Sequence, residues 1–144
     1  MVMEPGTLTI LEKVIFLKSV DIFKHATIEE LGSVAALTEE VHFEPGETII
    51  REGEPVDAIY LILKGRVAVE GKRHIVREVG EKQAFGTVAA LDLEPAFHTV
   101  KAIDPVYALK LNAQDLQDIL SLNFELVQAV IRALCQLVRE FAGR

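Results

Sequence analysis

The sequence has few of the residues that stabilise secreted or membrane-spanning proteins. Among its 144 residues there are one cysteine and no tryptophan. The single cysteine, Cys135, excludes an internal disulfide, and we interpret it as a small buried residue on a helix in a reducing compartment. Residues 10–17 form an apolar stretch, but Glu12 and Lys13 interrupt it, and it is far shorter than the roughly 20 residues that span a bilayer. We therefore expect no signal peptide, no membrane contact and a cytoplasmic location.

Positive charge is also scarce. The chain has 22 acidic and 15 basic residues, which gives a formal net charge of -7. No run of lysine or arginine could follow a phosphate backbone. We therefore expect no nucleic-acid partner.

Helical patterns occupy residues 1–40. The period of residues 10–17 predicts an amphipathic helix, whose buried stripe is formed by Ile10, Leu11, Val14, Ile15 and Leu17. Thr27 and Glu30 have the spacing of a capping box, in which each side chain accepts from the backbone amide of the other residue. This pair predicts that a second helix begins near Ile28.

Residues 41–111 consist of short β-rich runs separated by turn signals. These signals recur about every eight to twelve residues, for example at Pro45-Gly46, Lys64-Gly65 and Asp104-Pro105. Such spacing is typical of an antiparallel sandwich or barrel, because βαβ units need long helical connections. The predicted fold class is mainly β with flanking α: an antiparallel jelly-roll barrel with N-terminal helices and two C-terminal helices, in a single domain over residues 1–144.

The helical period returns in residues 112–144. Asn112 and Asn123 are suited to cap a short and a longer helix. The longer helix carries a wide apolar stripe, formed by Val127, Val130, Ile131, Leu134, Leu137, Val138 and Phe141. We consider four residues of this stripe as an interaction surface: Val127, Ile131, Leu134 and Val138. Packing on the chain's own barrel and pairing in a homodimer are both open.

The stretch from Phe85 to Val100 has the outline of a phosphate-binding loop but few of the charges. Gly86 lies where an extended segment meets a short helix, so the backbone there can approach a ligand. Such sites usually add a guanidinium for the phosphate and a carboxylate for sugar hydroxyls. Residues 83–100 contain no arginine, and Lys82 lies just outside.

On these residues the chain resembles the cyclic nucleotide-binding domain family. The loop positions that fit the family pattern are Phe85, Gly86, Ala89, Leu91, Pro95, Thr99 and Val100, and residues 43–55 and 58–67 match its first strands. The resemblance implies that a glutamate after the glycine holds the ribose and that an arginine after the proline holds the cyclic phosphate. This chain has Thr87 and Ala96 at those positions, and Phe97 where the family usually has a small hydroxyl residue.

Two functional hypotheses follow. In the first, the chain is a regulatory module with lost or strongly weakened cyclic nucleotide binding and no cofactor, which acts through association with itself or within a larger protein. In the alternative, it is a sensor for cyclic AMP, cyclic GMP or another small anionic ligand. The ligand-binding positions are then Phe85, Gly86, Thr87, Val88, Ala89, Ala96, Phe97, His98 and Thr99. The candidates to replace the missing guanidinium are Arg51, Arg66, Arg73 and Arg77.

No pattern indicates catalysis. The four histidines, which are His25, His42, His74 and His98, lack the short same-face spacing of a strand metal site. We therefore expect no enzyme activity, no catalytic residue and no metal. Relatives of the catabolite activator type continue into a DNA-reading helix-turn-helix. This sequence ends at Arg144, so we expect it not to read DNA in that way.

Overall fold

The computed structural model describes residues 7–71 and 75–143. These ranges contain five helices and eight strands. In chain order they are α1 (Ile10–Ser19), α2 (Ile28–Ala35), β1 (Thr38–Phe43), β2 (Thr48–Ile50), β3 (Ala58–Lys64), β4 (Val67–Glu70), β5 (Ile75–Val79), β6 (Ala84–Phe85), α3 (Thr87–Asp92), β7 (Thr99–Ala102), β8 (Val106–Asn112), α4 (Ala113–Leu122) and α5 (Phe124–Ala142).

The strands form two four-stranded sheets, in the orders β1-β8-β3-β6 and β2-β7-β4-β5. Every pairing between the described strands is antiparallel. The predicted mainly β jelly roll with flanking helices is therefore confirmed. The strands lie in two facing sheets instead of one closed barrel.

Strand β3 is buried on both faces of its sheet. Ile59 and Leu61 point into a core shared with the helices, whereas Tyr60 and Ile62 point into a second core between the two sheets. Alternate side chains of a strand face opposite sides, so one strand supplies both cores. The candidate site lies on the side of β3 that faces the second sheet.

The predicted stripe of α1 is wrong for three of its five residues. Val14 and Leu17 are buried, but Ile10, Leu11 and Ile15 are 50%, 67% and 64% exposed. Helix α1 packs mainly against α2, and that narrow contact covers only the face that carries Val14 and Leu17. An apolar period therefore indicated the helix correctly but overstated its buried width.

The predicted helix starts are confirmed. The Thr27 hydroxyl accepts a hydrogen bond from the Glu30 amide at 3.2 Å, and the Glu30 carboxylate accepts one from the Thr27 amide at 2.8 Å. Asn112 caps α4 through the amides of Gln114 and Asp115, and Asn123 caps α5. The first strand begins at Thr38, ahead of the start expected for the β region.

The turn between β3 and β4 depends on Gly65. Its φ is +98°, and a Cβ atom there would overlap the carbonyl oxygen of Pro105. Gly53 has a similar φ of +85°, but a Cβ atom at that position would meet open space. A substitution at Gly53 therefore introduces backbone strain alone, whereas one at Gly65 introduces both strain and steric overlap.

We expect Gly65→Ala to lower the free energy of unfolding by about 3 kcal/mol, because strain and overlap act together. Gly53→Ala is the matched control and should lose only about 1 kcal/mol, from strain alone. Urea unfolding followed by circular dichroism measures both values. Equal losses would contradict the described packing of Gly65 against Pro105.

Candidate functional site

A cavity of about 350 Å³ opens between the two sheets where β6 turns into α3. Eight of the nine predicted ligand-binding positions line it: Phe85, Gly86, Thr87, Val88, Ala89, Ala96, Phe97 and His98. Thr99 is not among the lining residues, and its hydroxyl accepts a hydrogen bond from the Glu52 amide at 3.1 Å. The structure thus brings the loop residues to one cavity and leaves Thr99 outside it.

One wall of the cavity is a row of side chains that crosses the second sheet. Ile50 pairs with Val100, Val100 with Val69, and Val69 with Arg77. Directly opposite residues in an antiparallel sheet point to the same face, and all four residues line the cavity. The row therefore consists of three apolar side chains followed by the guanidinium of Arg77 on the edge strand β5.

The opposite wall is fixed by the corner between β6 and α3. Phe85 stacks on Tyr60 with ring centroids 5.0 Å apart. Gly86 has a φ of +79°, and a Cβ atom there would lie 2.9 Å from the carbonyl oxygen of Ala58. Glycine is therefore needed both for the turn and for the close approach of the loop to β3.

Ala96 occupies the position where the family resemblance implies an arginine. It is 6% exposed, and its backbone is held by hydrogen bonds with Glu54 at 2.9 Å and Gly53 at 2.7 Å. Thr87 opens α3 in the position of the implied glutamate, and it is partly exposed at the cavity. The lining residues in the described ranges include no carboxylate.

Three large apolar side chains stand at the mouth of the cavity. Val88, Phe97 and Phe141 are 47%, 58% and 49% exposed. Phe97 lies against the ring of His98, with centroids 4.6 Å apart. Phe141 comes from the end of α5, so the terminal helix forms part of the mouth.

Arg77 is the one guanidinium among the described residues that line the cavity. Arg51 is exposed and does not line it. Arg66 pairs with Glu78 and Asp104, each at 2.9 Å, also away from the cavity. Arg73, the fourth candidate, lies outside the described residues.

Phe141 and Asp21 are among the groups that interact with Arg77. Its guanidinium carbon lies 5.1 Å from the centroid of the Phe141 ring, within the range of a cation–π contact. Burial raises the pKa of the Asp21 carboxyl, while the amides of Ile22 and Ala84 and the charge of Arg77 act in the opposite direction. One Asp21 oxygen, Oδ1, is buried with no hydrogen-bond partner among the described residues.

Sequence reasoning did not identify Asp21 or the contribution of Phe141 to the cavity. The sequence also did not indicate that Ile50, Val100, Val69 and Arg77 lie side by side across the second sheet. Alternation along β2, β4 and β7 indicates which residues point inward, but the register between strands is needed to place them side by side. For Asp21, no local pattern was available.

Helix α5 has two apolar faces. Leu126, Ala129, Val130 and Ala133 are buried against the helical core. A second line follows alternating steps of three and four residues, and we call it the α5 seam: Phe124, Val127, Ile131, Leu134, Val138 and Phe141. In this seam Ile131 is 52% and Val138 65% exposed, whereas Leu134 also packs against the core.

The remaining polar candidates do not converge. His25 hydrogen-bonds Gln136 at 3.1 Å and His42 lies beside Glu44, while His74 lies outside the described residues. Within the described part of the chain, no group of three histidine, cysteine or acidic residues is placed to hold a metal.

Cys135 is exposed on α5, so the prediction that it is buried is wrong. The described helices include none that is both long and apolar enough to cross a bilayer.

Comparison with known proteins shows the family of this chain. The sequence profile of the cyclic nucleotide-binding domain matches residues 40–123, more than half of the chain. The chain therefore belongs to the cyclic nucleotide-binding domain family, as the loop pattern predicted.

Among curated proteins, the chain is 34% identical over 107 residues to the cAMP-dependent protein kinase regulatory subunit of Dictyostelium discoideum. That match covers 69% of this chain and 33% of the relative. A CRP-like cAMP-activated global transcriptional regulator of Mycobacterium tuberculosis is 27% identical over 118 residues, covering 76% and 53%. The chain thus spans only part of the length of these regulators.

Among solved structures, the regulatory subunit of a cAMP-independent protein kinase A from Trypanosoma brucei superposes with a TM-score of 0.77 at 26% identity. The match covers 90% of this chain and 46% of that subunit. A triple variant of the same subunit, in which one replacement introduces an arginine, is described as bound to cAMP in its A site.

The stacked wall of the cavity has a measurable pH signature. Burial, aided by the negative charges of Asp57 and Glu39, raises the pKa of the Tyr60 phenol from 10.0 to about 12. The folded chain therefore favours the neutral phenol, and this contribution to stability is complete below pH 10 and is lost as the pH rises toward 12.

We expect the stability of the parent chain to fall by about 2 kcal/mol more than that of Tyr60→Phe between pH 10 and 12. The phenylalanine variant keeps the stacked ring but has no proton to lose, so it controls for other groups that titrate there. Urea unfolding at steps of pH measures the difference. Parallel curves for the two proteins would contradict the burial of this phenol.

Proposed function

We propose that this chain is a non-catalytic regulatory domain of the cyclic nucleotide-binding family in which cyclic nucleotide binding is lost or strongly weakened. It acts through association with itself or within a larger protein, in the cytoplasm. The observation that carries the proposal is Ala96, whose methyl group faces the cavity where the family implies a phosphate-binding arginine. Thr87 replaces the second polar group that the family implies.

The size of the effect follows from the loss of a charge pair. Removing one partner of a buried, hydrogen-bonded charge pair typically costs about 2 to 5 kcal/mol. At roughly 1.4 kcal/mol for each factor of ten, that corresponds to about 30-fold to several thousand-fold in affinity. The absence of the glutamate at position 87 adds to this loss. A domain with such a deficit is poorly suited to respond to micromolar messenger.

A relative supports the same link between charge and binding. The Trypanosoma brucei subunit is described as belonging to a cAMP-independent kinase. A variant of it with three replacements, which remove a glutamate and introduce an arginine, is described as bound to cAMP. We infer that the present chain is comparable to the unmodified subunit: it keeps the fold but lacks the side chain that would bind the phosphate.

The α5 seam supports the proposed association. Its steps of three and four residues match the a and d positions of a coiled coil, and Ile131 and Val138 expose most of their surface on it. The opposite face of α5 is already buried against the chain's own core. The helix therefore packs on its own domain and still presents an apolar line to a second helix.

Restoring the charges tests the binding part of the proposal. We expect Ala96→Arg combined with Thr87→Glu to bind cyclic AMP at least about 30-fold more tightly than the parent chain, because the phosphate and the ribose regain their partners. The matched control is Ala96→Gln with Thr87→Gln, which adds similar bulk without charge and should give no gain. Isothermal titration calorimetry measures all three proteins. No gain in a charged variant that melts like its control would contradict the charge explanation.

Exposed seam residues test the association part. We expect the parent chain to be a dimer at tens of micromolar, and Ile131→Asp with Val138→Asp to be monomeric, because two carboxylates would be buried in the seam. Both positions are exposed in the single chain, so the fold should survive. Arg132→Asp places the same side chain on an exposed position off the seam and should remain dimeric. Sedimentation equilibrium reports the mass. A monomeric parent chain would contradict self-association through the seam and leave only association within a larger protein.

A further inference from the structure

The cavity is apolar on both walls although it opens to solvent. Ile50, Val69 and Val100 form one wall, Phe85 lies on the other, and Ala96 also lines the cavity. Cavities of roughly 300 to 1,000 Å³ with apolar walls and a few polar groups are the usual form of small-molecule sites. This cavity, at about 350 Å³, lies at the lower end of that range. That space suits a compact ligand with an apolar body.

The mouth offers further apolar surface to such a ligand. Val88, Phe97 and Phe141 are each about half exposed, and all three border the same opening. Single exposed apolar side chains are common, but a cluster around a cavity is typical of a binding site. A ligand seated in the cavity would cover surface that otherwise faces water.

Charge at the cavity is confined to one side. The Arg77 guanidinium lies against the Phe141 ring, and the described lining residues include no carboxylate that would repel an anion. The Asp21 carboxylate interacts with Arg77 and offsets part of its charge. The arrangement therefore favours a ligand with a single negative group and an apolar remainder.

We infer that this cavity binds a compact amphipathic monoanion, with an aromatic or branched apolar body between the sheets and a carboxylate paired with Arg77. The inference deepens the proposed function and rests on it, since the cavity must be free of cyclic nucleotide. Arg77 is exposed, and exposed ion pairs contribute little. Apolar burial thus supplies most of the affinity, and Arg77 supplies the preference for an anion.

The test uses 2-naphthoate and its uncharged counterpart 2-naphthamide as probes. The chain has no tryptophan, so naphthalene fluorescence can be followed without overlap from indole. We expect naphthoate to bind one site per chain with saturation below 1 mM, and about fivefold more tightly than the amide. Failure of naphthoate to saturate, or equal binding of the two probes, would overturn the inference.

Substitutions locate the charge and the cavity. Arg77→Gln should weaken naphthoate about fivefold and change naphthamide less than twofold, whereas Arg51→Gln removes an exposed arginine that does not line the cavity and should change neither. Ala96→Leu should block both probes by filling the cavity, with thermal melting as the check on folding. Equal weakening of both probes by Arg77→Gln, or unchanged binding in a folded Ala96→Leu variant, would overturn the assignment.

The two proposals fail in different ways. Tight binding of cyclic AMP by the unmodified chain would refute the proposed function, whatever naphthoate does. Weak binding of both cyclic AMP and naphthoate would agree with the proposed function and refute only the inference of an amphipathic ligand.

Discussion

A close approach between the β6–α3 corner and strand β3 positions the whole candidate site. The missing side chain of Gly86 lets the corner lie beneath the carbonyl oxygen of Ala58, and this contact directs Phe85 onto Tyr60 inside the domain. The same turn sets Thr87 and Val88 at the cavity. A side chain at position 86 would displace all of these groups together, because they share one rigid turn.

The chain keeps the fold of its family, and Ala96 and Thr87 stand at the two cavity positions where the family resemblance implies charged residues. The backbone around Ala96 is held by hydrogen bonds on both sides, so the loop has its place in the fold without an arginine to stabilise it. Apolar side chains supply most of the lining instead, and the remaining cation, Arg77, enters from β5. In a site of this kind, burial of apolar area contributes more to the free energy of binding than contacts to a phosphate do. Phe141 connects this site with the α5 seam, because one side chain belongs to both.

Local rules predicted the fold well and the site in part. The capping box at Thr27 and the role of Gly86 depend on a few neighbouring residues, so sequence spacing was sufficient. The width of the buried face of α1 depends on what packs against it, and Ile15 was therefore assigned to the wrong side. Four arginines were equally good candidates for the cavity, because only the register of β4 with β5 distinguishes Arg77. The roles of the loop residues in binding remain predictions.

The central claim, that this cavity does not hold a cyclic nucleotide tightly, is tested most directly by nuclear magnetic resonance on the unmodified chain. Cyclic AMP is added to ¹⁵N-labelled protein up to several millimolar, and the amide signal of Gly86 is followed. The account predicts small shifts that rise almost linearly and do not saturate. A curve that saturates at micromolar cyclic AMP, with large shifts at Gly86, would contradict it.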